Sequence, residues 1–176
     1  MSNHYFTLLT IVISIFALFF AFYLQIEVKL LPCKLCIWQR WPHVFNVLIA
    51  LTLLTSPNKK YFVLCIGFIN MLLGTILATY HFGLEKGYWD NVFSCSGIQD
   101  LELLSSKDLL NTLKNTPIIS CETPQWSLFN LSLVGWNVMV SGFLTLIWGL
   151  QVYFLFVKRV IQYPNKENLP NYDGDN

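Results

Sequence analysis

Residues 5–26, YFTLLTIVISIFALFFAFYLQI, run for 22 positions without a charged side chain. A helix needs about 20 mostly apolar residues to cross the hydrocarbon core of a bilayer, so this stretch predicts a membrane-spanning helix. A cleaved signal peptide fits less well. No Lys or Arg precedes the run, the run is too long, and no small-residue cleavage site follows it. The rest of the chain agrees. Hydrophobic residues make up 55% and charged residues 12% of 176 positions, against roughly 25% charged in soluble domains. One integral membrane domain is therefore expected. A net charge of +1 with no basic cluster gives no sign of a nucleic-acid partner.

Three further spans are predicted. The second, about 42–57, is the weakest, because it contains Pro42, His43, Asn46 and Pro57 and only just reaches spanning length. SPNKK (56–60) then makes a polar turn. The third covers about 61–80 and carries Gly74 and Ala78 at a spacing that permits close helix contact. The fourth covers about 133–157, with Gly135, Gly142 and Gly149 at seven-residue intervals marking one narrow face. The expected fold is an all-α four-transmembrane-helix bundle with a tail at 158–176. Segments 27–41 and 81–132 lie on the side opposite both termini.

Charge does not orient the bundle. Lys59, Lys60, Lys158, Arg159 and Lys166 fall on the side of the termini, but Lys29, Lys34 and Arg40 oppose them. Cysteines orient it better. Four of the five lie on the side away from the termini, and disulfides persist only in oxidising compartments. In the long loop, Ser105 and Asp108 have capping-box spacing and Leu109, Leu110 and Leu113 form one face, predicting a short amphipathic helix over 105–115. TPQWSLFNLSL (123–133) reads as an interfacial segment before the last span.

Chemistry concentrates in PCKLCIWQRWPH (32–43). A Cys-x-x-Cys pair can bind zinc, attach haem, hold a structural bridge or exchange thiols. Haem attachment needs His after the second cysteine, where Ile37 stands. A Cys-only zinc site needs a second close pair, and Cys95 and Cys121 are 26 residues apart. Redox exchange and a structural bridge both stay open. If a helix starts near Cys33, Cys36 falls in its first turns and Arg40 one turn on, the setting that lowers a thiol pKa. The plainer reading of Arg40 is a snorkelling interfacial cation. Pro42 is expected to break or kink such a helix. Cys65, mid-span, reads as a small packing residue.

PCKLCIWQRWPH after a first span, the pair Cys95 and Cys121 in a long loop, and CETPQWSLFNLSLVGWN (121–137) before a last span together resemble the DsbB family of disulfide-bond formation proteins. The resemblance covers about residues 5–157. It implies a bacterial inner-membrane protein-disulfide oxidoreductase that reoxidises a periplasmic DsbA-type thiol oxidase and delivers electrons to ubiquinone or menaquinone, with no metal or haem. It implies resting disulfides Cys33–Cys36 and Cys95–Cys121. Cys95 would exchange with the partner, Cys121 with Cys33, and Cys36 would face the quinone beside Arg40. His81 matches a family histidine near the quinone. Two other readings compete: a vitamin K epoxide reductase-like redox protein, whose Cys-x-x-Cys lies late in the chain, and a non-enzymatic four-span subunit stapled by two extracytoplasmic disulfides.

Overall fold

The computed structural model describes residues 2–55, 60–89, 121–124 and 126–167. Four helices account for most of them: α1 (Ser2–Ile26), α2 (Lys34–Thr55), α3 (Lys60–Glu85) and α4 (Leu133–Glu167). α1, α3 and α4 are long and apolar enough to cross a membrane. α2, at 22 residues, is less apolar because it carries Gln39, Arg40, His43 and Asn46. The amphipathic helix expected over 105–115 lies outside the described residues.

The helices are built inside out relative to a soluble bundle. Phe16, Phe19, Phe45, Leu73, Leu146 and Phe154 are exposed, whereas Thr7, Thr10, Ser14, Asn46 and Ser141 are buried. Apolar side chains gain nothing from contact with one another when lipid is the solvent, so packing and interhelical hydrogen bonds hold the bundle together. Asn46 illustrates this. Its amide donates to Ser14 Oγ at 2.7 Å, and its carbonyl oxygen accepts from Trp148 Nε1 at 2.7 Å, tying α1, α2 and α4 at one level.

The three glycines of α4 do line one face, and α3 covers it. A Cβ on Gly135 would stand 3.0 Å from Phe82, one on Gly142 4.0 Å from Thr75, and one on Gly149 3.3 Å from Phe68. The partners fall by seven as the glycines rise by seven, the register of an antiparallel pair. α3 and α4 accordingly make the most extensive contact in the bundle, while α1 and α4 touch over a much shorter stretch.

Gly67 is the tightest point of this seam whose neighbour cannot yield. A Cβ there would lie 2.5 Å from the ring of Trp148, which is fully buried and hydrogen-bonded. Gly67→Val should therefore destabilise the bundle by about 3 kcal/mol through overpacking. Gly142→Ala, with nothing nearer than 4.0 Å, should be neutral or gain up to about 1 kcal/mol of helix propensity. Thermal unfolding of the two variants in detergent checks the contrast.

Helix limits differ from the sequence expectation at four places. α2 begins at Lys34 rather than about 42 and runs through Pro42. The proline ring removes one backbone donor, but it packs against Gly74 of α3, and its carbonyl accepts from Asn70 Nδ2 at 2.9 Å. α3 continues past residue 80 to Glu85. There Gly87 adopts φ 69°, with Tyr88 N bonded to Gly83 O and Gly87 N to Leu84 O, a left-handed glycine cap. α4 continues past 157 to Glu167. Finally, the segment before α4 folds into a two-residue hairpin, Ser127–Leu128 pairing with Leu131–Ser132 around Phe129 and Asn130, both at positive φ.

Candidate functional site

The site starts from a helix cap. Cys33 precedes the first residue of α2, its carbonyl accepts from Ile37 N, and its Sγ accepts from Cys36 N at 3.2 Å. This is N-cap geometry with sulfur in place of the usual oxygen. The Cys-x-x-Cys spacing is thus also the cap-to-third-residue spacing of a helix. It places Cys33 Sγ against the N-terminal end of α2, where the helix dipole favours negative charge. The Sγ atoms of Cys33 and Cys36 are 2.6 Å apart, and both residues are free thiols here rather than the bridge expected at rest.

His81, near the end of α3, brings Nε2 to 3.7 Å from Cys33 Sγ. The Cys33 thiol is lowered from about 9 to about 5, chiefly because Cys36 hydrogen-bonds to its sulfur. His81 and the Cys36 backbone N–H, as further hydrogen-bond partners of the sulfur, add to this, while burial opposes it. These contacts favour the thiolate at Cys33. The same three side chains put two sulfurs and a ring nitrogen within 4.8 Å of one another. Two thiolates on a tetrahedral zinc would stand roughly 3.7 Å apart, given Zn–S bonds of about 2.3 Å. At 2.6 Å the sulfurs stand closer together than a shared zinc would hold them.

Arg40, one turn beyond Cys36, reaches back to α1. Its Nη1 donates to Gln25 Oε1 at 2.6 Å, and the guanidinium lies 4.8 Å over the Phe22 ring. Cys121 is buried against Cys33, Leu35 and Leu84 and is in a disulfide. Cys95, its expected partner, lies outside the described residues. Cys33, Cys36, Arg40, His81 and Cys121 are thus brought together at one end of the bundle. Cys65 is a half-buried free thiol within α3, apart from them.

The sparse contact between α1 and α4 leaves a cavity of about 420 Å³, walled mainly by apolar side chains of both helices and of the hairpin. Its polar lining comes from Cys36, Gln39, Arg40, His43 and Asn137. The first four recur at i, i+3, i+4 and i+7, one face of α2. Cys33, among Cys121 and His81, lines with Cys36 and Arg40 a smaller pocket that shares several of this cavity's walls. The sequence reading missed Gln39, His43 and Asn137 as members of the site. The one signal for Gln39 and His43 is that stripe of polar residues at helical spacing, visible once α2 starts at residue 34, and Asn137, on α4, carries none.

The hairpin is fastened to both ends of this arrangement. Ser132 caps α4, accepting from Gly135 N at 3.1 Å, and its hydroxyl donates to Glu85 at the end of α3. Trp136 Nε1 donates to Leu128 O, and Trp126 packs edge-on to Phe20 of α1 at 6.0 Å. Residues 126–132 are therefore held against the cavity by α1, α3 and α4 together.

Comparison with known proteins agrees with this arrangement. The pattern of the family described as disulfide bond formation protein DsbB matches residues 3–151. A protein named disulfide bond formation protein B from Hahella chejuensis is 32% identical over 145 residues, covering 80% of this chain and 85% of its own. Another of that name from Cupriavidus pinatubonensis is 30% identical over 150 residues, covering 82% and 89%. An uncharacterised protein of Rickettsia prowazekii, RP370, is 29% identical over 148 residues, covering 84% and 86%. No solved structure matches the chain. A family pattern that spans all four helices, with relatives matched over most of their own length, leaves one assignment: the chain belongs to the DsbB family of membrane disulfide-forming thiol oxidoreductases.

Proposed function

We propose that the chain reoxidises a periplasmic DsbA-type dithiol protein and passes the electrons through Cys95–Cys121 and then Cys33–Cys36 to a membrane quinone. One observation carries this reading. The inner pair reaches both halves of the relay: Cys33 lies in one buried cluster with the disulfide-bonded Cys121, and Cys36, packed against that cluster, also lines the apolar cavity. A pair that only stapled two segments would have no need to reach both.

The cavity suits a quinone in size and chemistry. Its 420 Å³ lies in the range of small-molecule pockets, and its walls are apolar with a few converging polar groups. Cys36 and Arg40 would hold the ring end, and the apolar walls of α1 and α4 the lipid-soluble tail. Quinone held there supplies the two-electron, two-proton acceptor that conversion of a dithiol to a disulfide requires.

The chain's own residues do the rest. The partner's first thiol attacks Cys95, which forms the mixed disulfide and releases Cys121, and the partner's second thiol then displaces Cys95 and leaves the partner oxidised. Cys121 exchanges with Cys33, which frees Cys36 as a thiolate on the cavity wall. Arg40 supports that charge, since a fixed cation near a sulfur favours its ionised form. Cys95 then attacks Cys121, which re-forms the outer disulfide and releases Cys33. Cys33 bonds Cys36 again as the pair gives up two electrons, and its low pKa, about 5, makes it a good leaving group and keeps it ionised for that step. The cysteine-bearing end then faces the periplasm and both termini the cytoplasm, because exchangeable disulfides need an oxidising compartment.

The test is to mix the purified protein in detergent with a reduced DsbA-type dithiol protein and a soluble quinone analogue. Quinone absorbance should fall in step with partner oxidation, one quinone per dithiol. If the partner stays reduced and every cysteine of the chain keeps its redox state, the protein is a stapled membrane subunit and not an oxidase.

A further inference from the structure

Five buried or half-buried polar side chains leave the dithiol in single file. His81 Nδ1 is 2.9 Å from Gln39 Nε2, Gln39 Oε1 is 2.8 Å from Asn137 Nδ2, and Asn137 Oδ1 is 3.1 Å from His43 Nε2. Ser141 Oγ closes the far end, 3.5 Å from both His43 Nε2 and Asn137 Oδ1. The file joins α2, α3 and α4. Polar groups at such depth are expensive and mark function by default.

A chain of this kind has a direction. Each amide gives its NH₂ to one neighbour and its oxygen to the other, and a neutral imidazole has one N–H and one lone pair. Two polarities are therefore possible. In one, every donor points toward the sulfur and His81 presents Nε2–H to Cys33. In the other, both amides are reversed and His81 presents a lone pair there. His43 decides between them. Its Nδ1 is buried and has no hydrogen-bond partner. In the first polarity Nε2–H donates to Asn137 and Nδ1 is a bare lone pair. In the second, Nδ1 would be an N–H buried with nothing to accept it. Orphaned buried N–H groups are the rarer and costlier defect.

We propose that Gln39, Asn137 and His43 are positioning residues that lock His81 in the tautomer whose Nε2–H donates to Cys33, so that the sulfur is held ready as a thiolate. This rests on the exchange role proposed above for the inner pair, and it adds three residues that act through His81 without touching either sulfur. Other groups also bear on Cys33: Cys36 and Arg40 from α2, Glu85 from α3, and the disulfide-bonded Cys121. Arg40 favours the thiolate and Glu85 opposes it, and neither depends on the file.

The experiment follows the pH dependence of alkylation at Cys33 in the reduced, full-length protein, using a small neutral methanethiosulfonate read by mass. The wild type should reach half its plateau rate near pH 5. In Gln39→Leu, Asn137→Leu and His43→Leu the midpoint should rise by about one to two pH units, the effect of losing one hydrogen bond to a charged group. His43→Gln, whose Nε2 can replace the ring donor to Asn137, should restore the wild-type midpoint. Nitrogen-15 NMR of the histidine rings in the wild type gives a reading that needs no variant, and should find His81 protonated at Nε2. Protonation of neutral His81 at Nδ1, or unchanged midpoints in all three leucine variants, would overturn the proposal. A shifted midpoint in a protein that never oxidises its partner would leave the file intact and remove the quinone-linked reading instead.

Discussion

Cys33→Ser is expected to fold as the wild type does and to have no turnover. The two effects separate because Cys33 has two jobs at one atom. Its sulfur caps α2 through the Cys36 N–H, and serine is among the best residues for that task. Cys33→Ala loses the cap as well, and should lose about 1 kcal/mol of stability in addition to all activity. Cys36→Ala keeps the cap, because the backbone donor at 36 is untouched. With no inner disulfide for Cys121 to attack, Cys33 can only attack the outer bridge at Cys121, which frees Cys95 and gives a Cys33–Cys121 species with no route onward to the quinone. Removing an essential nucleophile costs on the order of 10⁶-fold in other enzymes, so turnover should fall to background in all three variants. Cys65→Ala, away from the site, should change neither quantity. Quinone consumption with a reduced partner, thermal unfolding in detergent, and gel separation of the trapped species check each clause. Turnover that survives in Cys36→Ala would mean that the inner pair does not carry the electrons.

Three of the four helices were legible as apolar runs of spanning length, because α1, α3 and α4 show lipid an almost unbroken apolar surface. α2 was read short for a physical reason. A span is recognised by the absence of charge, and α2 spends its first turns on Cys36, Gln39 and Arg40, so the reading started it after the arginine. In the folded bundle Gln39, His43 and Asn46 point inward while Trp38, Trp41, Phe45 and Leu48 face outward. The apolar surface needed in lipid is present, but on one side only. Pro42 compounded the error. Its helix-breaking rule is local, and the close fit of its ring against Gly74 and the bond from Asn70 to its own carbonyl, both from α3, hold the helix through it in a way no local pattern reveals.

The opposite ends were missed for a different reason. Hydropathy says where a chain leaves the membrane and nothing about where a helix stops. α3 runs five residues past the expected boundary until Gly87 can take the left-handed cap, and it carries His81 into helical register with Cys33. At the site, the cysteine spacing and Arg40 were visible in one short stretch. Gln25, which fixes the guanidinium, and Asn137, which links α4 to Gln39, are single amides in apolar helices with no partner nearby in sequence. Only the folded bundle brings them together.

Arg40→Ala should raise the half-saturating quinone concentration by about 10- to 100-fold, the loss of one hydrogen bond to a charged group or ion. The guanidinium is not a loose surface cation. Gln25 Oε1 takes one of its donors and the Phe22 ring supports its face. These contacts from α1 hold the remaining donors on the wall that Cys36 also lines. Arg40→Lys keeps the charge but loses the planar fork and its stacking on Phe22. It should therefore recover part of the affinity, and less of the maximal rate than of the binding, since a mobile ammonium steadies a thiolate less well than a fixed guanidinium. Neither variant should disturb the inner pair's ability to form a disulfide. An arginine that merely snorkelled to the interface would behave in the opposite way. Arg40→Ala would then lower insertion or thermal stability and leave half-saturation where it was. Quinone titrations of the two variants beside their unfolding curves separate these outcomes. Gln25→Leu serves as a third arm, because it frees the guanidinium without removing it. A rise in half-saturation there, smaller than for Arg40→Ala, would show that the position of the charge matters as well as its presence.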